Sequence, residues 1–297
     1  MVHEEYVERL VNLLDADANL IFNMTYEEAT ELVGSGSAEQ VRQIDGQFAL
    51  VHKNGTCVRM ARSIGRPMRF FLAKRAEGPC LIIAERIDEI YEFLKSEGLD
   101  DQFHPSYTRM VPAHYVLELQ LIGCPDPNPK TTRFFTPARN RLPNQLNEIG
   151  KQYISAVSRE IHKWLDTIPP QQPIGVLFSG GVDSGAIFLL VYHALLMRKE
   201  SPSRLKAFSL SIDGEGSDCR QARQFLEQMN LSLFLEEIDV PQESLDCQET
   251  IRIVEDYKQL DVQAATMTYA LCKKIRELYP RWKYLIDGDG GDENLKD

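Results

Sequence analysis

The run Ile174-Gly-Val-Leu-Phe-Ser-Gly-Gly-Val-Asp-Ser184 restricts the possible folds more than any other stretch of this chain. Residues 174–178 form a short apolar run with the length of a buried strand. Ser179, Gly180 and Gly181 follow, and the paired glycines let the backbone turn tightly and approach a ligand closely. Asp183 and Ser184 then open an apolar segment in which Ile187, Leu190, Val191, Ala194 and Leu195 keep the helical period. A strand, a glycine loop and a helix start aim backbone N–H groups and the helix dipole at an anion. No lysine follows Gly181, so this is not the Gly-x-x-x-x-Gly-Lys-Ser/Thr phosphate loop. The carboxylate of Asp183 stands in its place, which suits Mg²⁺ held on a pyrophosphate. The plainer alternative is a glycine turn between core elements, with Asp183 and Ser184 as helix caps.

From residue 174 onward strand and helix patterns alternate. Strands are expected at 174–178, 205–212, 232–239 and 283–287, and helices at 183–198, 218–229, 246–258 and 262–278. That order predicts a parallel, doubly wound sheet, whose ligands sit at the carboxyl ends of the strands. The glycine loop, Asp213-Gly214-Glu215-Gly216 and Asp287-Gly288-Asp289-Gly290-Gly291-Asp292 all fall at such ends and are expected to meet in one crevice.

The earlier part of the chain is strand-rich. Asn54-Gly55 is a hairpin signal, with strands expected on either side, at 44–51 and 56–61. Further strands are expected at 70–73, 81–84 and after Pro112, and a helix at 88–97. Residues 1–20, with Val7, Leu10, Val11 and Leu14 on one face, read as an amphipathic helix. Five prolines between Cys124 and Asn144 mark a linker, and a helix over 145–165 opens the second part. The expected domains are 1–144 and 145–297.

The 297 residues suffice for two cores. A net charge of −11 argues against a nucleic-acid surface. The six cysteines show neither Cys-x-x-Cys nor zinc spacing, and no basic, then apolar, leader opens the chain, so a cytoplasmic protein with free thiols is expected. The apolar run 186–197 is too short to span a bilayer. His193 reads as a partly buried packing residue, and Cys219, at a helix start, as a thiol whose pKa could be lowered.

On these residues the chain resembles asparagine synthetase B and its relatives, including the β-lactam synthetases, within the ATP-pyrophosphatase superfamily. Residues 179–184 are similar to the family's pyrophosphate loop. Leu205-Lys206-Ala207-Phe208-Ser209-Leu210 with Ser217-Asp218 resembles its adenine-side strand, and Asp287 to Glu293 its Ser-Gly-Glu-Gly-Ser-Asp-Glu segment. Val254-Glu255-Asp256-Tyr257 sits where the family has Ile-Glu-Thr-Tyr. Asp45-Gly46-Gln47-Phe48-Ala49, Ala61-Arg62 through Pro67, and Ala84-Glu85 resemble parts of its glutaminase domain. The implied fold is an α+β glutaminase-like domain followed by an α/β, doubly wound ATP-pyrophosphatase domain.

The resemblance implies ATP and Mg²⁺ as cofactors. Ser179, Gly180, Gly181, Asp183, Ser184, Leu210 and Gly288 would bind the nucleotide, Asp183 and Asp292 the metal, while Glu255 and Asp289 would act in catalysis on an amine. The implied reaction activates a small-molecule carboxylate as its adenylate, releases pyrophosphate, and lets an amine or ammonia displace AMP. No cysteine precedes Cys57, so no glutamine hydrolysis is expected. Asp289 stands for a family glutamate. The family also continues past the equivalent of Asp297 into a helical region that supplies a lysine and much of the acceptor pocket; a longer chain, a partner chain or an incomplete cycle would each account for this. A homodimer is compatible, a membrane partner is not expected, and nucleic acid is disfavoured. Two other readings stay open: a nucleotide-binding regulatory protein without turnover, and a sulfur-inserting tRNA-modifying member of the superfamily.

Overall fold

The structure is a computed structural model that describes residues 9–75, 78–121, 128–138 and 141–291. The chain divides into two compact units, Met1–Arg141 and Leu142–Asp297.

The first unit runs β1 (Arg9–Asn12), β2 (Leu20–Ile21), α1 (Tyr26–Gly34), α2 (Ala38–Val41), β3 (Gly46–Gln47), β4 (Ala49–Asn54), β5 (Cys57–Arg62), β6 (Arg69–Ala73), β7 (Cys80–Ala84), α3 (Ile87–Ser96), β8 (Arg109–Met110), β9 (Tyr115–Gln120) and β10 (Lys130–Arg133). Two four-stranded sheets, ordered β1-β7-β6-β8 and β10-β9-β5-β4, are packed face to face. The period of two sorts their side chains. Val58 and Met60 of β5 and Leu81 and Ile83 of β7 meet between the sheets. Leu50 and Ala61 point outward onto α1 and α2. Cys80, Ile82 and Ala84 point outward onto α3. The result is four layers: helix, sheet, sheet, helix. Because β7 is covered on both faces, all five of its residues are buried, and its Cys-Leu-Ile-Ile-Ala lacks polar alternation.

Three readings of this part need correction. Residues 9–12 form a strand, β1, parallel to β7, not a helix. Leu10 and Val11 satisfy a period of two as well as a helical one, and the open edge of β7 supplies backbone partners. The 54–57 hairpin closes through Gly55 and Thr56, with Gly55 at φ 58° at the first corner, so Asn54 belongs to the strand and pairs with Cys57. The proline-rich segment holds β10, antiparallel to β9, and Phe134 behind it is buried against Phe48.

The second unit runs α4 (Leu146–Asp166), β11 (Ile174–Leu177), α5 (Val182–Met197), β12 (Leu205–Ile212), α6 (Ser217–Gln228), β13 (Leu235–Val240), α7 (Cys247–Val254), α8 (Gln259–Leu278) and β14 (Tyr284–Ile286). All four strands are parallel, in the order β13-β12-β11-β14. One face carries Ile174, Val176 and Ala207 and is covered by α4, α5 and α6. The other carries Phe208, Ile238 and Val240 and is covered by α8. This is the α/β, doubly wound sheet the alternating pattern predicts. Gly175 is required by packing: a Cβ there would lie 2.7 Å from the Phe208 ring and 2.5 Å from Leu285. Among the described residues no helix is long and apolar enough to cross a membrane.

Candidate active site

The chain leaves β11 at Leu177 and enters α5 at Val182. Gly180 lies at φ +77°, and a Cβ on it would sit 2.4 Å from the backbone nitrogen of Ala222 in α6. Only glycine lets the loop pass this close to the neighbouring helix. The hydroxyls of Ser179 and Ser184 are 3.1 Å apart, and either can donate. The N–H of Gly181 donates to Ser179 Oγ at 3.3 Å, and Ser184 Oγ donates to the Gly181 carbonyl at 3.4 Å. Ser184 is buried and ties the loop shut, whereas Ser179 and Asp183 are exposed at the mouth. The first turn of a helix leaves N–H groups without intrahelical acceptors, and Asp183 lies in that turn.

The loop after β14 packs directly on this helix start. A Cβ on Gly288 would lie 2.7 Å from the Ser184 nitrogen, and one on Gly291 would lie 2.4 Å from Asp183 Oδ1. The two glycines let backbone approach where any side chain would push Asp183 aside. The N–H of Asp289 donates to Asp287 Oδ1 at 3.3 Å, and that of Gly291 to the Gly288 carbonyl at 3.3 Å, so the loop folds back on itself. Partial burial, and next the nearby Asp289 carboxylate, push the Asp287 carboxyl above the usual range; the Asp289 N–H works the other way.

These elements line a half-open cavity of about 220 Å³. Its polar side is Asp183, Asp287, Asp289 and the backbone of Gly288, Gly290 and Gly291. Its apolar side is Tyr153, Ile154 and Val157 of α4 with Ala186, Ile187 and Leu190 of α5.

Asp183, Gly288 and Asp289 thus share one crevice, next to Ser179, Gly180, Gly181 and Ser184. The remaining expectations divide. Leu210 points to the opposite sheet face, among the residues covered by α8. Glu255 is the left-handed C-cap of α7, at φ 53°, and does not line the cavity. The 213–216 loop does not line it either, so two of the three strand ends, not three, form the described cavity. The carboxylate of Asp239 holds that third loop, accepting from Ser211 Oγ at 2.6 Å and the Gly214 N–H at 2.8 Å. These two bonds keep its pKa below the usual carboxylate range. Asp292 lies outside the described residues. His193 is exposed rather than packed. Cys219 is buried in the first turn of α6, and burial pushes its thiol pKa up, so the lowered value expected at a helix start is absent.

Sequence reasoning put Asp287 in the crevice without giving it a role, and missed the α4 wall. The signal for the wall was present: Tyr153, Val157, Ile161 and Leu165 recur every fourth residue. The later pair is buried in the core, and the earlier pair continues the same stripe into the cavity.

Among the described residues no group of three or more His, Cys, Asp or Glu side chains is placed to hold a metal by itself. A Mg²⁺ ion commonly takes only one or two carboxylates and completes its shell with phosphate and water. An exposed Asp183, with glycine backbone pressed against it and oxygen donors around it, fits that need.

The Asparagine synthase family model matches residues 170–296. Asparagine synthetase [glutamine-hydrolyzing] 1 of Lotus japonicus is 29% identical over 125 residues, which are 41% of this chain and 21% of that protein. Asparagine synthetase [glutamine-hydrolyzing] 2 of Oryza sativa subsp. japonica is 30% identical over 125 residues, 41% of this chain and 20% of that protein. The root asparagine synthetase [glutamine-hydrolyzing] of Pisum sativum is 27% identical over an equal length. The matches thus span about a fifth of the length of these relatives. Among solved structures, an NH3-dependent NAD synthetase from Campylobacter jejuni aligns at TM-score 0.33 and 14% identity, covering 49% of this chain and 58% of that one, a likeness too loose to support a conclusion. The matched segment takes in the glycine loop, the parallel sheet and the loop after β14, and over these residues the chain is similar to the asparagine synthase family.

Proposed function

We propose that the chain is an ATP-dependent, amide-forming ligase that activates a carboxylate as its adenylate and releases AMP and pyrophosphate. One observation carries this reading. A lysine-free glycine loop opens a helix, and a second glycine-rich loop is locked on that helix start, so Asp183 and Asp289 face one cavity. The N-terminal turn of α5, Gly180, Gly181 and Ser179 would receive the phosphates. Ser184 holds the loop closed behind them. Asp183 and Asp292 would hold Mg²⁺, which when bound offsets the charge on the departing pyrophosphate. Gly288 would allow the nucleotide close to backbone, and Leu210, on the α8 face of the sheet, keeps its nucleotide role only as an expectation. Asp289, which lines the cavity, would accept a proton from the attacking amine. Glu255 keeps this role only as an expectation.

In the first step a carboxylate oxygen attacks the α-phosphorus, and the bond to the β-phosphate oxygen breaks. In the second the amine nitrogen attacks the acyl carbon, and AMP leaves with the electron pair. Catalysis on such a site comes mainly from positioning and fixed dipoles. The four-layer first unit is read as a glutaminase-like domain without glutaminase activity, and glutamate release from glutamine by the purified chain would overturn that part.

Nucleotide products decide the reaction. The chain is incubated with Mg-ATP, ammonia and a panel of carboxylates, and the nucleotides are separated by chromatography. AMP with equimolar pyrophosphate is expected; ADP as the main product would overturn the assignment.

A further inference from the structure

The cavity between α4, α5 and the loop after β14 has two unlike halves. Six apolar or aromatic side chains form one wall, and Asp183, Asp287 and Asp289 with glycine backbone form the other. Among the described residues no lysine or arginine lines it. Ammonia has no apolar surface to set against the α4–α5 wall, and a dicarboxylic acid or sugar would place polar groups on it without partners. An anionic acceptor, unlike a pyrophosphate that brings its own Mg²⁺ to Asp183, would face Asp287 and Asp289 without a described cation beside it. The volume is informative as well: a cavity of roughly 150 Å³ with apolar walls accepts a benzene ring, and this one measures about 220 Å³. Space therefore remains for a ring and a short aminoalkyl arm, or for a branched alkyl chain of similar bulk.

We propose that this cavity is the acceptor site, and that the acceptor is a primary amine with an apolar body rather than ammonia alone. The ammonium group is held by Asp287 and Asp289, and the body rests on Tyr153, Ile154, Val157, Ile187 and Leu190. The inference rests on the ligase reading above. It adds the class of the amine. The chemistry balances. The ammonium loses one proton before attack and a second as the amide forms, both to the Asp287 and Asp289 carboxylates and on to water. The new bond is C–N, the broken bond is the acyl C–O, and AMP takes the electron pair.

Calorimetric titration of the full chain tests this with three probes: 2-phenylethylamine, 2-phenylethanol with the same body and no charge, and ammonium with the charge and no body. The amine is expected to bind at least tenfold more tightly than either control. Asp289→Asn, and Ala186→Phe, which fills the cavity, are each expected to weaken amine binding at least tenfold in a chain whose melting shows it folded. Equal affinity for the alcohol, equal affinity for ammonium, no binding of the amine, or a folded variant with unchanged affinity each overturns the proposal. A Mg-ATP titration of the same sample separates the two readings. Nucleotide binding without the amine preference refutes this inference and leaves the ligase reading standing. Amine binding without nucleotide binding refutes the ligase reading, and with it the acceptor role.

Discussion

Gly180 and Gly214 have nearly the same backbone conformation, φ +77° and φ +74°, in very different surroundings. A methyl group at 214 meets nothing within 4 Å, whereas one at 180 lies 2.4 Å from the backbone of Ala222. Strain alone from a left-handed alanine costs about 1–2 kcal/mol. Gly214→Ala should therefore lower unfolding free energy by about that much. Gly180→Ala should cost clearly more, because α6 must move as well. Denaturant unfolding of the two variants checks this, and equal losses would show that the loop does not press on α6. Gly291 makes a related point about chemistry. Its missing side chain leaves room for the Asp183 carboxylate, and Gly291→Ala should weaken Mg-ATP binding with little change in melting temperature. The sequence made these glycines visible but not their contacts: Gly180 depends on α6, more than thirty residues away in sequence.

Elements were legible where a local pattern and the tertiary surroundings agree. Strands β11, β12 and β14 and helices α5, α6 and α8 fall close to where apolar runs and helical periods put them, since a parallel strand covered on both faces must be apolar throughout. Agreement fails at β1 and β10. Both are short edge strands whose pairing is set by partners, Cys80 to Ile83 for β1 and Tyr115 to Glu118 for β10, that no local window contains. The site was legible only as loops; its α4 wall needed the fold to bring Tyr153 and Val157 beside Asp287. Tyr279, just after α8, shows a coupling between elements with a measurable pH dependence. Its hydroxyl donates to Glu236 of β13 at 2.5 Å, and Lys206 of β12 pairs with the same carboxylate. Burial, then the bond to Glu236, raise the Tyr279 pKa to about 12. The folded state thus holds this proton more tightly than the unfolded chain, whose tyrosines titrate near 10. The stabilisation is complete below that value and is lost as pH rises from about 10 to about 12. Tyr279→Phe should abolish that part of the loss. Parallel decline of both proteins over this range, followed by chemical denaturation, would contradict the assignment.

At the scale of the whole molecule, each unit carries a complete core of its own. The first packs two sheets between helices, and the second packs helices on both faces of one sheet. Residues 142–297 expressed alone should unfold in a single cooperative transition and keep the nucleotide site, since every residue assigned to it lies there. A non-cooperative melt of that fragment would show that its core needs the first unit. The proposed function depends on the loop at 179–184 binding Mg-ATP, with Asp183 as a metal-facing carboxylate. Calorimetric titration of the full chain with Mg-ATP tests it most directly. One nucleotide per chain is expected, with Asp183→Ala weakening the affinity at least tenfold, about 1.4 kcal/mol. Absence of binding, or unchanged affinity in a folded Asp183→Ala chain, would contradict it.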